Sequence, residues 1–178
     1  MRIGISGAHS TGKTTLLEAL KKMPRFSNYH FGSGVTRRVR DYGCTINENG
    51  TDLTQKLIMQ EHIVNVFMHD NLVGDRTALD VVVYTDVLAH SGAIISKTLT
   101  WAINVFERIM PHYDILFYIK PEFEIVDDGV RTTDVAFRDK IVDKFDEYIK
   151  QYDIRVVELT GSVDDRVAQI LRAISEIE

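Results

Sequence analysis

Apolar residues in this chain come in two kinds of run. The short runs, Met1 to Ser6, "YHFGSG", "NLVGDR", "DILFYIK" and "IRVVEL", lack the polar alternation of a half-exposed strand, so they predict strands buried on both faces. The longer runs repeat at helical spacing. Thr14 to Met23 carries Leu16, Leu17, Leu20 and Met23, and "DLTQKLIMQEHIVNVFMHD" carries Leu53, Leu57, Val64, Phe67 and Met68 on one stripe expected to face inward. Ala78 to His90 and Ser96 to Met110 predict two further helices, ended by Ser91-Gly92 and Pro111. Asp134 to Gln151 predicts another, and the last helix has Val163, Val167, Ile170, Leu171 and Ile174 on its inner face. Strands alternating with helices imply an α/β fold, a parallel sheet of about five strands between layers of helices. The whole of 1–178 is expected to be a single domain.

Composition narrows the picture. Hydrophobic residues at 44% and charged residues at 26%, with three prolines, suit a soluble globular chain. The net charge of -5 disfavours a duplex-binding surface, although it leaves nucleic acid open, and makes a small molecule the expected partner. A lone Cys44 cannot form an internal disulfide and is read as structural or incidental. The N-terminal apolar run is too short for a signal peptide or a membrane span, so a cytoplasmic protein is expected, monomeric or homodimeric.

The candidate chemistry begins immediately after the first strand. Gly7-Ala8-His9-Ser10-Thr11-Gly12-Lys13-Thr14 fills G-x-x-x-x-G-K-[ST] at every fixed position, between a predicted strand and a predicted helix. The glycines let backbone N–H groups turn inward as an anion nest, the following helix adds its positive end, Lys13 reaches the outer phosphates, and the Thr14 hydroxyl can ligate Mg²⁺. Thr15 extends the nest. His9 and Ser10 hold variable positions, and His9 is expected to be exposed rather than catalytic. The N-K-x-D and D-x-x-G motifs of a GTPase are absent from the sequence, and a motor-type ATPase normally needs a larger module. A small P-loop kinase remains.

Further features fit such an enzyme. "DDGVRTTDVAFRDK" offers Arg131 and Arg138 in a lid of about 121–138, where guanidinium groups stabilise developing phosphoryl charge and closure excludes water. Arg138 heads the stripe of Ile141, Val142, Phe145 and Ile149 and should point inward. Asp75 and Arg76 follow the third strand, where open α/β sheets bind ligands; Asp75 can serve the metal or take the acceptor proton, and Arg76 can steady the moving group. Asp80 and Tyr84 lie one helical turn apart and can face the acceptor. Gln60, on the expected inner stripe, can read a nucleobase edge.

Gly7 to Thr14, Asp75-Arg76, "PEFEIVDDGVRTTDVAFRDKI" and "VELTGSVDDRV" together resemble the kinase domain of bacterial nicotinamide riboside kinases and the related small AAA-type P-loop kinases of bacteria and phages, over nearly the whole chain. A looser similarity reaches deoxynucleoside and thymidylate kinases. The resemblance implies ATP and Mg²⁺, a lid arginine at Arg131, and a base contact near Gly161 and Ser162. Such kinases often carry an acid after the second strand, where this chain has "GSGVTRRVRDYG". Arg37, with Arg38 and Arg40, suits an acceptor that already bears a phosphate. The expected function is transfer of the γ-phosphoryl group of ATP to a nucleoside, nucleotide or related metabolite. A kinase of nucleic-acid ends or modified bases, and a regulatory ATPase without a small acceptor, are the alternatives.

Overall fold

The computed structural model describes residues 1–122 and 135–178. The expected alternation is observed: β1 (Arg2–Ser6), α1 (Lys13–Lys21), β2 (His30–Gly32), α2 (Val35–Asp41), α3 (Asp52–Met68), β3 (Leu72–Asp75), α4 (Ala78–His90), α5 (Ser96–Ile109), β4 (Ile115–Tyr118), α6 (Val135–Gln151), β5 (Val157–Glu158) and α7 (Val163–Ser175). All strand pairs are parallel, and the sheet order is β2-β3-β1-β4-β5. After β3 the chain crosses over β1 to begin β4. This reversal of winding opens a crevice beyond the carboxyl ends of β1, β3 and β4, where the loops diverge.

Both faces of the sheet are covered, which explains the unbroken apolar strands. Ile3, Ile5, Val73, Phe117 and Ile119 pack with Leu16, Leu17 and Leu20 of α1 and Ile170 and Ile174 of α7. Leu72, Leu116 and Tyr118 point to the other face, against α4, α5 and α6. Because side chains alternate along a strand, the two cores draw on alternate residues of the same strands. The result is a three-layer α/β sandwich that carries the Gly7-to-Thr14 loop at the carboxyl end of β1. "IRVVEL" contributes only two residues of regular strand at the sheet edge.

Helix α3 departs from its expected orientation. Leu53, Val64, Phe67 and Met68 are at least half exposed, whereas Thr54, Gln55, Ile58, Met59, His62, Asn65 and Val66 are buried. The helix thus turns its more polar stripe inward. The reason lies in its position beside the crevice, where its inner face must meet Asp75 and Arg76 rather than only aliphatic core. Of the expected lid, residues 123–134 lie outside the described residues, and Val135 to Arg138 form the first turn of α6. Among the described residues no helix is long and apolar enough to cross a membrane.

Candidate active site

The loop between β1 and α1 is bent by three residues in the left-handed region: Gly7 at φ 148°, Ser10 at 62° and Gly12 at 83°. A side chain at Gly7 would bring its Cβ to 2.3 Å from the Ile119 carbonyl oxygen, so only glycine lets the loop lie this close to β4. Gly12 is the N-cap of α1 and provides no capping side chain, which leaves first-turn amides directed toward the crevice. Lys13 is buried and its Nζ donates to the Gly7 carbonyl at 2.7 Å, to the Ala8 carbonyl and to Thr11 Oγ1 at 2.9 Å. The ammonium rests on its own loop, within reach of an incoming anion. The Ser10 hydroxyl is buried and finds no hydrogen-bond partner among the described residues.

These groups line a cavity of about 200 Å³ that also takes in Arg37, Asp75 and Arg76. Thr14, exposed at the start of α1, and Asp75, half-buried at the end of β3, line it together. A hydroxyl and a carboxylate lining one cavity, beside an uncapped helix terminus, suit a hard cation that keeps phosphate oxygens as its other ligands. Thr15 is exposed on α1 and falls outside the residues that line the cavity.

Arg76 occupies an unusual place. Its backbone stands at φ 74°, uncommon for a side-chain-bearing residue, and its N–H donates to the Ile5 carbonyl at 2.9 Å. Its guanidinium donates to Gly7 O at 3.3 Å and to Asp80 Oδ1 at 3.2 Å, and lies 5.1 Å from the centre of the Tyr84 ring. Burial opposes its charge, but Tyr84, Asp80 and Asp75 outweigh that cost, so its pKa is raised and the charge is permanent. Asp80 is almost fully buried and also accepts from the Gly7 and Thr77 N–H groups, completing the capping box of α4. With these contacts the Asp80 carboxylate acts as an anchor between the phosphate loop and α4.

A second, smaller cavity of about 30 Å³ adjoins the first and shares Thr36, Asn47 and Arg76 with it. Asp80, Val81 and Tyr84 line it from α4, and Gln55 and Ile58 line it from α3. The amide expected to face inward is therefore Gln55, which is 2% exposed, and not Gln60, which is exposed. Gln55 lies on the same stripe as Ile58, Met59 and His62, a second helical periodicity that the apolar stripe obscured. The Gln55 Oε1 accepts from the Thr85 hydroxyl at 3.2 Å, which orients the amide.

His9 also departs from expectation. It is 3% exposed, its N–H donates to the Tyr84 hydroxyl at 3.2 Å, its Nδ1 meets that hydroxyl at 3.1 Å, and its ring stacks on Phe137 of α6. The first turn of α6 thus packs onto the phosphate loop. Burial of the hydroxyl raises the Tyr84 pKa, with Arg76 opposing the rise, so Tyr84 is neutral at ordinary pH.

His62, behind Asp75 and Arg76, has its pKa lowered from 6.5 to about 4, chiefly because burial disfavours the imidazolium. The unfolded chain takes up this proton as pH falls below 6.5, while the native state resists until about 4, so the associated stability is complete above 6.5 and disappears across that window. His62→Gln should flatten the fall in melting temperature through this range, by the equivalent of at most roughly 3 kcal/mol. Parallel pH profiles for the two proteins would show that His62 is not the group responsible.

Among the three arginines of α2, Arg38 donates to Ser33 O and pairs with Glu61 at 2.7 Å, and Arg40 pairs with Asp41; Arg37 is the one that lines the phosphate cavity. Arg138 has a side chain only 13% exposed, in keeping with an inward position, and lies 4.0 Å from Asp139. Arg131 lies outside the described residues. The Ser162 hydroxyl caps α7 by accepting from Asp165 N–H, and Gly161, at φ 84°, donates its N–H to Glu122. Arg166, which the sequence reading passed over, is fully enclosed beneath the phosphate loop. Its signal was available: it stands four and eight residues before Ile170 and Ile174, a cation on an apolar stripe.

A model of the AAA domain family matches residues 2–166. No curated protein sequence matches the chain. Among solved structures, deoxyadenosine kinase from M. mycoides with dCMP and dCDP bound is similar at a TM-score of 0.69 and 15% identity, covering 100% of both chains. NadR protein in complex with NR is similar at a TM-score of 0.72 and 19% identity, over 98% of this chain and 50% of that one, so this chain spans half the length of that protein. At such identities the likeness is one of fold.

Proposed function

The chain belongs to the AAA domain family, and on that premise we propose that it is an ATP- and Mg²⁺-dependent kinase of a nucleoside, a nucleotide or a closely related metabolite. One observation carries the reading: the phosphate-loop cavity and the cavity of Gln55, Asp80 and Tyr84 meet at Arg76. A phosphoryl donor held in the first, and an acceptor seated over the mouth of the second with only its reacting end reaching in, would present their reacting atoms to one partly buried, permanently charged guanidinium. The deoxyadenosine kinase of similar fold, bound to dCMP and dCDP or to dATP, and NadR protein, bound to NR, support an acceptor of this class.

In this reading Gly7 to Thr14 cradle the donor phosphates, Thr15 standing outside the cavity, and Lys13 leaves its loop carbonyls for the outer ones. Thr14 and Asp75 would hold Mg²⁺, which offsets phosphate charge when bound. Asp75 accepts the acceptor hydroxyl proton as the hydroxyl oxygen bonds to the γ-phosphorus and the bond to the β,γ-bridging oxygen breaks. Arg76, with Arg138 and with Arg131 from the segment beyond the described residues, neutralises the charge that develops. Gly161 and Ser162 are assigned to the rim of the base site, and Gln55 replaces Gln60 as the acceptor-reading amide. Arg37 on the cavity wall favours an acceptor that already carries a phosphate, a monophosphate before a nucleic-acid end. A single domain acting in the cytoplasm suits this chemistry.

The test is ADP release by the purified protein against a panel of nucleosides and monophosphates. Stimulation by one acceptor supports the kinase; turnover indifferent to every acceptor points to a regulatory ATPase instead. Once an acceptor is found, Gln55→Ala should raise its KM by about tenfold or more, through loss of paired donor and acceptor groups. Gln60→Ala should change neither constant. Equal effects of the two would remove Gln55 from the acceptor site.

A further inference from the structure

We infer that Arg166 is a positioning residue for phosphate binding: from α7 it fixes the direction of the Gly12 amide and ties the phosphate loop to the segments that follow β4 and β5. Arg166 is 2% exposed and its Nη1 donates to the Thr11 carbonyl at 2.7 Å. Its Nη2 lies 3.2 Å from Glu122 Oε2, and the same carboxylate oxygen accepts from Gly161 N–H at 3.1 Å. One guanidinium thus joins three loops, each leaving the carboxyl end of a different strand: β1, β4 and β5.

The consequence for the ligand follows from the planarity of the peptide group. The C=O of Thr11 and the N–H of Gly12 belong to one trans unit and point in opposite directions. With the carbonyl drawn toward Arg166, the Gly12 N–H is turned away from α7. Thr11 and Gly12 line the phosphate cavity, while Arg166 is not among the residues that do. The arginine therefore grips the loop from behind and leaves the amide facing the anion. Gly12 also admits this approach, since a Cβ there would stand 3.2 Å from Nη1. A buried arginine is costly unless it is paired, and Glu122 supplies that pairing. Glu122 immediately precedes 123–134, so the clamp ends where the segment carrying Arg131 begins.

This inference rests on the reading of Gly7 to Thr14 as a phosphate grip, and the experiment separates the two. Tripolyphosphate, which has no base to bind, is titrated into ¹⁵N-labelled wild type, Arg166→Met, Arg166→Lys and Glu122→Gln while the Gly12 amide resonance is followed. In the wild type tripolyphosphate should bind and shift that resonance downfield. Arg166→Met should weaken binding about tenfold or more, as expected for loss of an oriented, charge-assisted contact, and abolish the Gly12 shift. Arg166→Lys should recover part of both, because an ammonium still reaches one carbonyl, and Glu122→Gln should lie between wild type and Arg166→Met. Should Arg166→Met fail to fold, the other two variants carry the comparison. Melting temperature without ligand reports any purely structural effect, which would leave the Gly12 shift intact in folded protein. No tripolyphosphate binding by the wild type overturns both the phosphate grip and the clamp. Binding by the wild type, with affinity and Gly12 shift unchanged in the variants, overturns the clamp alone.

Discussion

Lys13→Ala should lose phosphoryl transfer by at least about a hundredfold while remaining folded. The ammonium is the only cation that this loop itself contributes, and it lies within 3 Å of Gly7 O, Ala8 O and Thr11 Oγ1, poised above the anion nest. In the transition state charge spreads onto oxygens that Lys13 would contact, so its removal acts on the barrier more than on the ground state. The fold pays comparatively little: two carbonyls and a hydroxyl lose a donor at the edge of a cavity that water can enter. The expected drop in melting temperature is a few degrees, on the scale of about 2–4 °C per kcal/mol for a chain of this size. Retention of more than about a tenth of the activity would contradict the role assigned to Lys13.

Arg76→Ala should cause a comparable loss, about a hundred- to a thousandfold in kcat/KM, with a larger loss of stability. Two effects combine here and can be separated. The guanidinium, 18% exposed, compensates Asp80, whose side chain is 2% exposed, and removing it leaves a buried carboxylate under-compensated. The backbone at φ 74° is strained for alanine as it is for arginine, but not for glycine. Arg76→Gly should therefore be as inactive as Arg76→Ala yet more stable by about 1 kcal/mol. If Arg76→Ala kept activity within about tenfold of wild type, the meeting of the two cavities at this residue would not be the reaction centre. A strained arginine at the end of β3 makes sense only if its position matters more than its comfort, which is what these two variants measure together.

Reading the helices from apolar spacing succeeded where the core is apolar. In α7, Ile170 and Ile174 are buried as expected, and in α6, Ile141 and Phe145 are. The same rule selected the wrong face of α3, because it assumes that burial and hydrophobicity coincide. Along α3 they diverge: Thr54, Gln55, His62 and Asn65 are enclosed beside the crevice while Phe67 and Met68 stay outside. Gln60 lies on the apolar stripe between Leu57 and Val64, and it is exposed because that stripe faces outward. His9 was expected to be exposed as a variable loop residue, yet α4 and α6 converge on it through Tyr84 and Phe137, which no local pattern reveals. Arg166 could have been found by the argument that was applied to Arg138, a cation on an apolar stripe.

What the sequence by itself determined is local chemistry. A phosphate loop needs its glycines, lysine and threonine at consecutive positions between a strand and a helix, and the elements of an α/β fold are each specified by short-range periodicity. The tertiary structure alone decided which stripe of α3 faces inward, which arginine of α2 lines the cavity and which is paired with Glu61, and which residue holds the loop from behind. Those outcomes depend on contacts such as Arg166 with Thr11, 155 residues apart in the chain, and on the competition of several charges for one buried space. Spacing along the chain carries no record of either, because both are settled only when the strands bring their carboxyl ends together.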